Sequence, residues 1–163
     1  MMKIKLNNGD IALVDKEDYE KLNKWKWKVN NHGYVCRSAH PPGSRKTINI
    51  YMHRFIINPP DGLVVDHVNR NPLDNRRCNL RLATRSQNQG NRKMQKNNKS
   101  GYHGVNYSKM MGKWRAEIKT YDKRRHLGFY GNIEDAAKAY DDAAIEYFGE
   151  FARLNFPERK ECI

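Results

Sequence analysis

Two adjacent residues near the middle of the chain, Asp66 and His67, have side chains that could catalyse hydrolysis. A neutral imidazole can take a proton from water near pH 7, which makes His67 a candidate general base. A carboxylate is a hard oxygen donor that suits magnesium or manganese, which makes Asp66 a candidate metal ligand. Because neighbouring residues of a strand point to opposite sides, we expect the two side chains to perform different tasks. An Asp-His pair alone is common, so the prediction depends on the residues around it.

Two asparagines later in the chain could complete such a site. Asn79 could accept a hydrogen bond from one imidazole nitrogen and hold the ring in one tautomer. The segment Thr84–Gln87 has the Thr-x-x-Gln pattern of a capping box, which opens a short helix. Asn88 lies on that helix and could offer a carbonyl oxygen to the metal ion. The order strand, loop, strand and helix is therefore predicted for residues 64–91.

Positive charge surrounds this stretch. Residues 70–99 contain nine Lys and Arg against one acid, and the whole chain has a formal net charge of +13. Such charge indicates a polyanionic partner, which could be DNA, RNA or an acidic membrane surface. The arginines predicted to contact phosphates are Arg70, Arg76, Arg77, Arg81 and Arg85.

The region before this stretch, residues 3–58, is predicted to be rich in β-structure. Its first apolar residues alternate with polar ones on both sides of a turn at Asn7–Asp10. A short helix is predicted to follow, with Asp15 as its N-cap. The alternation then continues through TINIYMHRFII, which predicts further strands. Exposed Trp and Tyr in such strands could stack on bases, but a half-buried sheet face is the commoner arrangement.

A polar, basic segment, QNQGNRKMQKNNKS at residues 87–100, is nearly free of apolar residues. Its composition predicts a linker or an extended arm. A solvated loop and a cationic strand along DNA phosphates both fit this composition.

Residues 101–156 are predicted to form a second unit of three strands and one helix. KWRAEIKT alternates apolar and charged residues, and RRHLGFY follows after a turn. The apolar residues then recur at helical spacing, with Asn132 as N-cap and Gly149 as the stop. Residues 101–131 contain seven Lys and Arg against two acids, whereas residues 132–150 contain one lysine against six acids. The sheet is therefore expected to face nucleic acid, since a major groove admits a β-ribbon.

The stretch VVDHVNRNPLDNRRCNLRLATRSQNQGN resembles the HNH nuclease motif of the ββα-metal type found in phage and intron homing endonucleases. The resemblance implies that His67 is the general base and that Asn79 orients it. It also implies that Asp66 and Asn88 bind one divalent metal ion, magnesium or manganese.

The chain departs from that family's name-giving pattern in one position. The order is His-Asn-Asn instead of His-Asn-His, which disfavours a zinc or two-histidine site and leaves Asn91 as an alternative ligand. The upstream segment HRFIINP resembles the one that usually precedes the motif. His53 in that segment is interpreted mainly as structural, with DNA contact as the alternative.

The tail, from GYHGVNYSKMMGKWRAEIKT to LGFYGNIEDAAKAYDDAAIEYFGEFARLNFP, resembles the Apetala or ethylene-response-factor DNA-binding domain. That family lays a three-stranded sheet in the DNA major groove. Plant members favour Arg and Trp where this chain has Asn106 and His126, so base preference does not carry over. The DNA-facing residues that the resemblance implies are His103, Asn106, Arg115, Glu117, Lys119, Arg124 and His126.

The cysteines and the apolar runs indicate where the protein works. Cys36, Cys78 and Cys162 are an odd number without a C-x-x-C pair, which disfavours a disulfide framework or a structural zinc site. No apolar run approaches the length of a spanning helix, and no secretory segment follows the first Met. We therefore expect an intracellular, cytoplasmic protein without a membrane partner.

Together these features predict an α+β protein with three parts. They are a β-rich nuclease region with a ββα-metal core (1–91), a basic linker (92–100), and a three-stranded antiparallel sheet on one helix (101–157). The implied function is a site-directed, homing-type endonuclease that hydrolyses double-stranded DNA as a monomer or weak homodimer. A non-catalytic transcriptional regulator with a decayed nuclease motif is the alternative, and an RNA-binding protein is a third possibility.

Overall fold

The computed structural model describes residues 1–94 and 97–158 of the chain. By its contacts the chain divides into two compact units, Met1–Ala83 and Thr84–Ile163. Helices alternate irregularly with small sheets whose strands pair antiparallel, so the predicted α+β class is confirmed. The sequence motifs place a boundary later, after residue 91, and that division stays a prediction.

The structure describes two of the three cysteines and the helices in most of the chain. Cys36 is a buried free thiol and Cys78 an exposed one, whereas Cys162 lies outside the described residues. Within residues 1–94 and 97–158, no helix is both long and apolar enough to cross a bilayer.

The first unit begins with the predicted hairpin and helix, which are confirmed. β1 (Met2–Lys5) pairs with β2 (Ile11–Val14), and α1 spans Lys16–Leu22. Asp15 occupies the N-cap position, but its side chain does not cap the helix. Its Oδ2 accepts a hydrogen bond from the backbone N–H of Arg77 at 2.7 Å instead.

The middle of the first unit differs from its prediction. β3 (Lys28–Val29), β4 (Val35–Ala39) and β5 (Ile48–Tyr51) form a sheet in that order. The predicted continuation of β5 as a strand is wrong, because the chain turns into α2, Met52–Ile57.

The helix forms because one of its faces is buried. It ends because a left-handed residue and two prolines follow it. Met52, His53 and Ile56 are buried together on one face of α2, a spacing that a strand cannot present. The helix ends at Asn58, which has φ 47° and ψ 63°, and Pro59 and Pro60 cannot continue it.

The core of the first unit supports the two strands that carry the candidate catalytic pair. Trp27 is fully buried and its indole N–H donates to the Leu22 carbonyl at 2.8 Å. β6 (Val64–His67) and β7 (Leu80–Ala83) pair antiparallel, and Val65 and Leu80 join this core. β6 is therefore anchored one residue before Asp66.

The second unit contains the predicted sheet and helix, which are confirmed. α3 (Arg85–Gly90) precedes β8 (Val105–Ser108), β9 (Lys113–Lys119) and β10 (Arg124–Tyr130), which pair in the order β10-β9-β8. α4 (Ile133–Phe148) follows; Asn132 accepts from the Glu134 N–H at 2.8 Å, and Gly149 is the C-cap. The buried core between sheet and helix consists of Val105, Ala116, Ala136 and Ala137.

Gly104, directly before β8, lies against Tyr140 of α4, and its replacement should destabilise the second unit. Its φ is +69°, and a Cβ there would collide with the Tyr140 ring and the Glu117 carbonyl oxygen. We expect Gly104→Ala to lower the free energy of unfolding by roughly 3 kcal/mol, combining backbone strain with overpacking. Urea unfolding followed by circular dichroism measures this loss.

Gly101→Ala is the matched control, since Gly101 has a similar φ of +78° but nothing within 4 Å of the added methyl. It should cost only the strain of a left-handed backbone, on the order of 1–2 kcal/mol. Equal losses in the two variants would contradict the packing argument.

Candidate active site

The loop between β6 and β7 is held by Asn79, whose side chain is buried. Its Oδ1 accepts from the Asn69 N–H at 2.9 Å, and its Nδ2 donates to the Asp74 carbonyl at 2.7 Å. Its backbone carbonyl also accepts from the Val68 N–H at 2.9 Å. These bonds of Asn79 run to the loop, and the orientation of the imidazole by Asn79 stays a prediction. Asn79 fixes the two residues that come directly after His67.

The other amides and acids of the loop complete this framework. Asn69 Nδ2 donates to Asp74 Oδ2 at 2.9 Å, and the Asn69 Oδ1 accepts from the Asn71 N–H at 2.9 Å. Arg76 donates to both oxygens of Asp74, at 2.8 and 2.7 Å, and these bonds hold the pKa of Asp74 below its ordinary value. The asparagines of this loop thus hold its backbone in shape through hydrogen bonds of their side chains.

His67 lies at the end of β6 with its side chain buried. Its ring centroid is 5.1 Å from that of His53, edge to face, and 6.0 Å from that of Tyr34. Burial lowers the pKa of His67, while the Asn75 side chain and the carboxylates of Asp66 and Asp74 oppose that shift. The imidazole is therefore neutral near pH 7, which is the form that accepts a proton.

Asp66 faces the neighbouring strand, where its register partner is Arg81. Arg81 Nε donates to Asp66 Oδ2 at 2.9 Å, and the two side chains are 19% and 6% exposed. This ion pair holds the carboxylate from the neighbouring strand, in a site with little solvent. The candidate metal ligand is thus a carboxylate, a hard oxygen donor, whose position β7 helps to fix.

The arginines predicted to contact phosphates have partners within their own units. Arg77 donates to both oxygens of Asp18 at 2.8 Å, and Arg76 and Arg81 pair with the acids named above. The Arg70 backbone has φ 60° and its N–H donates to the His67 carbonyl at 2.8 Å. In the second unit, Arg85 Nη1 donates to the Tyr121 hydroxyl at 3.1 Å. Their contacts with DNA phosphates stay predictions.

The predicted capping box of α3 is confirmed. Thr84 Oγ1 accepts from the Gln87 N–H at 3.2 Å, and Gln87 Oε1 accepts from the Thr84 N–H at 2.8 Å. Asn88 is half-buried on this helix, and Asn91 is its buried C-cap. α3 belongs to the second compact unit, whereas Asp66 and His67 belong to the first. Metal binding by Asn88, with Asn91 as the alternative ligand, stays a prediction.

The predicted metal ligands of this motif suit a hard divalent ion. Among the described residues, no three His, Cys, Asp or Glu side chains form a metal-binding group. Asp66 and the two asparagines offer oxygen atoms only, and Mg²⁺ is commonly bound by one or two carboxylates together with substrate phosphates. These donors suit magnesium or manganese and do not suit zinc.

The predicted DNA-facing residues of the second unit gather on its sheet. Glu117 pairs with Arg115 on its own strand and with Arg124 on the next strand, each at 3.1 Å. A cavity of about 530 Å³ on this unit is lined by arm residues including Arg92 and Lys93, together with five of the predicted DNA-facing residues. Four of the five lie on the strands, namely Asn106, Glu117, Lys119 and Arg124, and His103 lies just before β8.

Two predicted members of this face differ from the rest in their surroundings. His103 is half-buried: its ring stacks on Tyr140 at 6.1 Å, and its backbone N–H donates to Asn155 Oδ1 at 2.7 Å. His126 is exposed and packs beside Phe129 at a ring distance of 4.7 Å, next to a bulge in β10. Residues 95–96 of the arm lie outside the described residues.

Sequence reasoning missed two of the residues around His67, Asn75 and Tyr34, and named the third, His53, without placing it beside His67. Asn75 is fully buried, and its Nδ2 donates to the Pro72 carbonyl at 3.1 Å. Tyr34 and His53 come from β-hairpin and helix positions far from the motif, and their rings lie 5.3 Å apart. Only the HRFIINP segment signalled His53, and its burial in α2 agrees with the structural interpretation.

Comparison with known proteins agrees with this architecture. A family profile described as HNH endonuclease matches residues 58–89, and one described as AP2 domain matches residues 100–150. An uncharacterized HNH endonuclease of Acanthamoeba polyphaga mimivirus is 31% identical over 153 residues, which are 90% of this chain and 75% of that protein. Protein 3.8 of Escherichia phage T7 is 35% identical over 95 residues, 58% of this chain and 78% of that protein.

The second unit has plant relatives. An ethylene-responsive transcription factor of Arabidopsis thaliana is 49% identical over 59 residues, 35% of this chain and 32% of that factor. The chain therefore belongs to the HNH endonuclease family and carries an AP2 domain, which confirms both resemblances. These matches support a DNA nuclease, with DNA binding by the AP2 domain.

The burial of His53 should make the stability of the protein depend on pH. Burial, and next the neighbouring His67 and Arg54, lower the pKa of His53 to about 3. An unfolded histidine titrates near 6.5, so between pH 6.5 and 3 the unfolded chain takes up a proton that the folded protein does not. We expect stability to fall as pH falls through this window, by up to about 1.4 kcal/mol per pH unit from His53.

The measurement is urea unfolding at pH 7, 6, 5 and 4 for the wild type and His53→Gln. The variant should be less stable at pH 7 but lose less stability per pH unit, because glutamine does not titrate. Parallel pH profiles for the two proteins would show that His53 is not buried as a neutral group.

Proposed function

We propose that the protein is a site-directed, homing-type DNA endonuclease that hydrolyses a phosphodiester bond with a histidine base and one divalent metal ion. The observation that carries the proposal is the placement of His67. It is a buried, neutral imidazole at the end of β6, next in sequence to the carboxylate of Asp66, which pairs with Arg81. The membership of the HNH endonuclease family supports it independently.

His67 takes a proton from the attacking water. Its lowered pKa keeps the ring nitrogen free to accept that proton at neutral pH, and the carboxylates of Asp66 and Asp74 stabilise the imidazolium that forms. Asn79 is a positioning residue in this step. It holds the backbone of Val68 and Asn69, and thereby the strand end from which the imidazole projects.

The metal ion would be held by Asp66 and by an amide oxygen of α3, from Asn88 or alternatively Asn91. When bound, a divalent ion of this kind polarises the phosphoryl group and stabilises the leaving oxygen. Arg81 supports Asp66 by pairing with its carboxylate from the neighbouring strand β7.

DNA would be engaged by both parts of the chain. The sheet of the AP2 domain would lie in the major groove of double-stranded DNA, and the basic arm would follow the phosphates. One active site per chain cuts one strand at a time, so a monomer would nick and a double-strand break would require a weak homodimer or two events. An enzyme of this kind works inside a cell or an infected host, in the cytoplasm.

Substitution of the base tests the proposal. Supercoiled plasmid is incubated with wild type or His67→Ala, in magnesium or manganese, with a chelator control. We expect metal-dependent nicking by the wild type and a loss of about 10²-fold or more in the variant, since general base catalysis contributes that much. DNA binding, measured by fluorescence anisotropy without metal, should stay within about twofold of the wild type, because His67 is buried.

His32→Ala is the matched control, because His32 is an exposed histidine in the same unit. It should nick at the wild-type rate. Normal nicking by His67→Ala would remove the base assignment. Tight binding by the wild type without cleavage in either metal would favour the non-catalytic regulator.

A further inference from the structure

In the first unit, some cationic side chains are paired with acids of the described chain and others are not. Arg76, Arg77 and Arg81, beside the active site, are each paired with an acid of the same unit. Residues 21–60, by contrast, contain eight Lys and Arg and no Asp or Glu. All forty are described, and none of their cationic side chains pairs with a carboxylate of the described chain. Residues 21–60, which contain the sheet of β3, β4 and β5, therefore carry positive charge that no carboxylate of the described chain neutralises.

Trp25 and Arg37 form the centre of this charged region. Trp27 is fully buried, but Trp25, two residues earlier, is 46% exposed. The guanidinium carbon of Arg37, on the central strand β4, lies 4.0 Å from the centroid of the Trp25 ring. Stacking of this kind orients a guanidinium without using its N–H donors. The Arg37 Nε is buried and donates no hydrogen bond within the described residues.

A cavity of about 570 Å³ opens beside this pair. We call it the Trp25 groove; its lining residues are Trp25, Lys26, Arg37, Ser38, Ala39 and His40. The groove offers two cations, a hydroxyl and an imidazole, and its described lining residues include no acid; this is chemistry that binds a phosphate group. The exposed indole adds a flat apolar surface against which a sugar or base can pack.

We propose that the Trp25 groove binds the phosphate backbone of the DNA substrate, as a contact separate from the AP2 sheet. Charge complementarity selects this occupant: the strand is a continuous polyanion, and the groove lies in forty residues without a negative side chain. DNA binding there also explains why Trp25 is exposed, since its ring would pack against the DNA and is not part of the core. This inference rests on the proposed function, since it presumes a DNA substrate.

The test measures binding with cleavage switched off. A fluorescent 30-base-pair duplex is titrated with full-length protein in chelator, at several salt concentrations, by fluorescence anisotropy. The variants are Lys26→Gln, Arg37→Gln and Trp25→Ala, and the matched control is Lys5→Gln, an exposed lysine on β1 outside the groove. Circular dichroism melts show whether each variant folds. Lys26 is exposed, so its substitution keeps the test valid even if Arg37→Gln is unstable.

We expect Lys26→Gln and Arg37→Gln each to weaken binding by about tenfold at low salt. Each should also reduce the slope of log affinity against log salt by about 0.9, the value for one lost phosphate contact. Trp25→Ala should weaken binding without changing the slope as much, since indole carries no charge. Lys5→Gln should change neither quantity by a comparable amount.

Wild-type affinity and slope in folded Lys26→Gln and Arg37→Gln would overturn the proposal. Stronger competition by single-stranded RNA than by duplex DNA, lost in the same variants, would overturn it as well. The outcome is distinguishable from failure of the nuclease assignment, because that assignment is tested by nicking and this one by binding without metal. A protein that binds through the groove but never cuts would keep this inference and lose the other.

Discussion

The first unit depends on the hydrogen bonds of one buried amide, Asn79. Its side chain and its carbonyl together bind the backbone of Val68, Asn69 and Asp74, and so close the loop between β6 and β7. Buried amide groups are costly unless their hydrogen bonds are made, and here both ends of the side chain are used. His67 lies directly before the residues that this amide holds. His67, the candidate general base, is therefore positioned by the loop on its C-terminal side.

The second constraint is the pairing of buried acids. Asp18, Asp66 and Asp74 are each at most 5% exposed, and a buried carboxylate needs a cation nearby. Three arginines of the motif supply those cations, which removes them from the charge that is free to meet DNA. The formal net charge of +13 includes these paired arginines. The positive charge near the loop between β6 and β7 that is free to bind a phosphate is therefore smaller than the sequence suggests. Residues 21–60, which contain no acid, and the basic sheet of the AP2 domain offer more.

Periodicity and turn chemistry predicted most local elements. The first hairpin, the capping box at Thr84 and the helix after Asn132 were all predicted, because each depends on residues close together in sequence. α2 was not predicted, since HRFIINP alternates as plausibly as it repeats every fourth residue, and only burial against the core decides between these. Asp15 likewise lies at the N-cap as expected, but its carboxylate binds a backbone N–H 62 residues away.

The sequence by itself determined the motif that carries Asp66 and His67, the class of protein and the strand and helix pattern. These are properties of neighbouring residues, and local spacing specifies them. The tertiary structure decided which charges are neutralised and which groups surround the base. Arg77 meets Asp18 across 59 residues of chain, and His53 reaches His67 from helix α2. Such long-range partners depend on how the core packs, which no local pattern records.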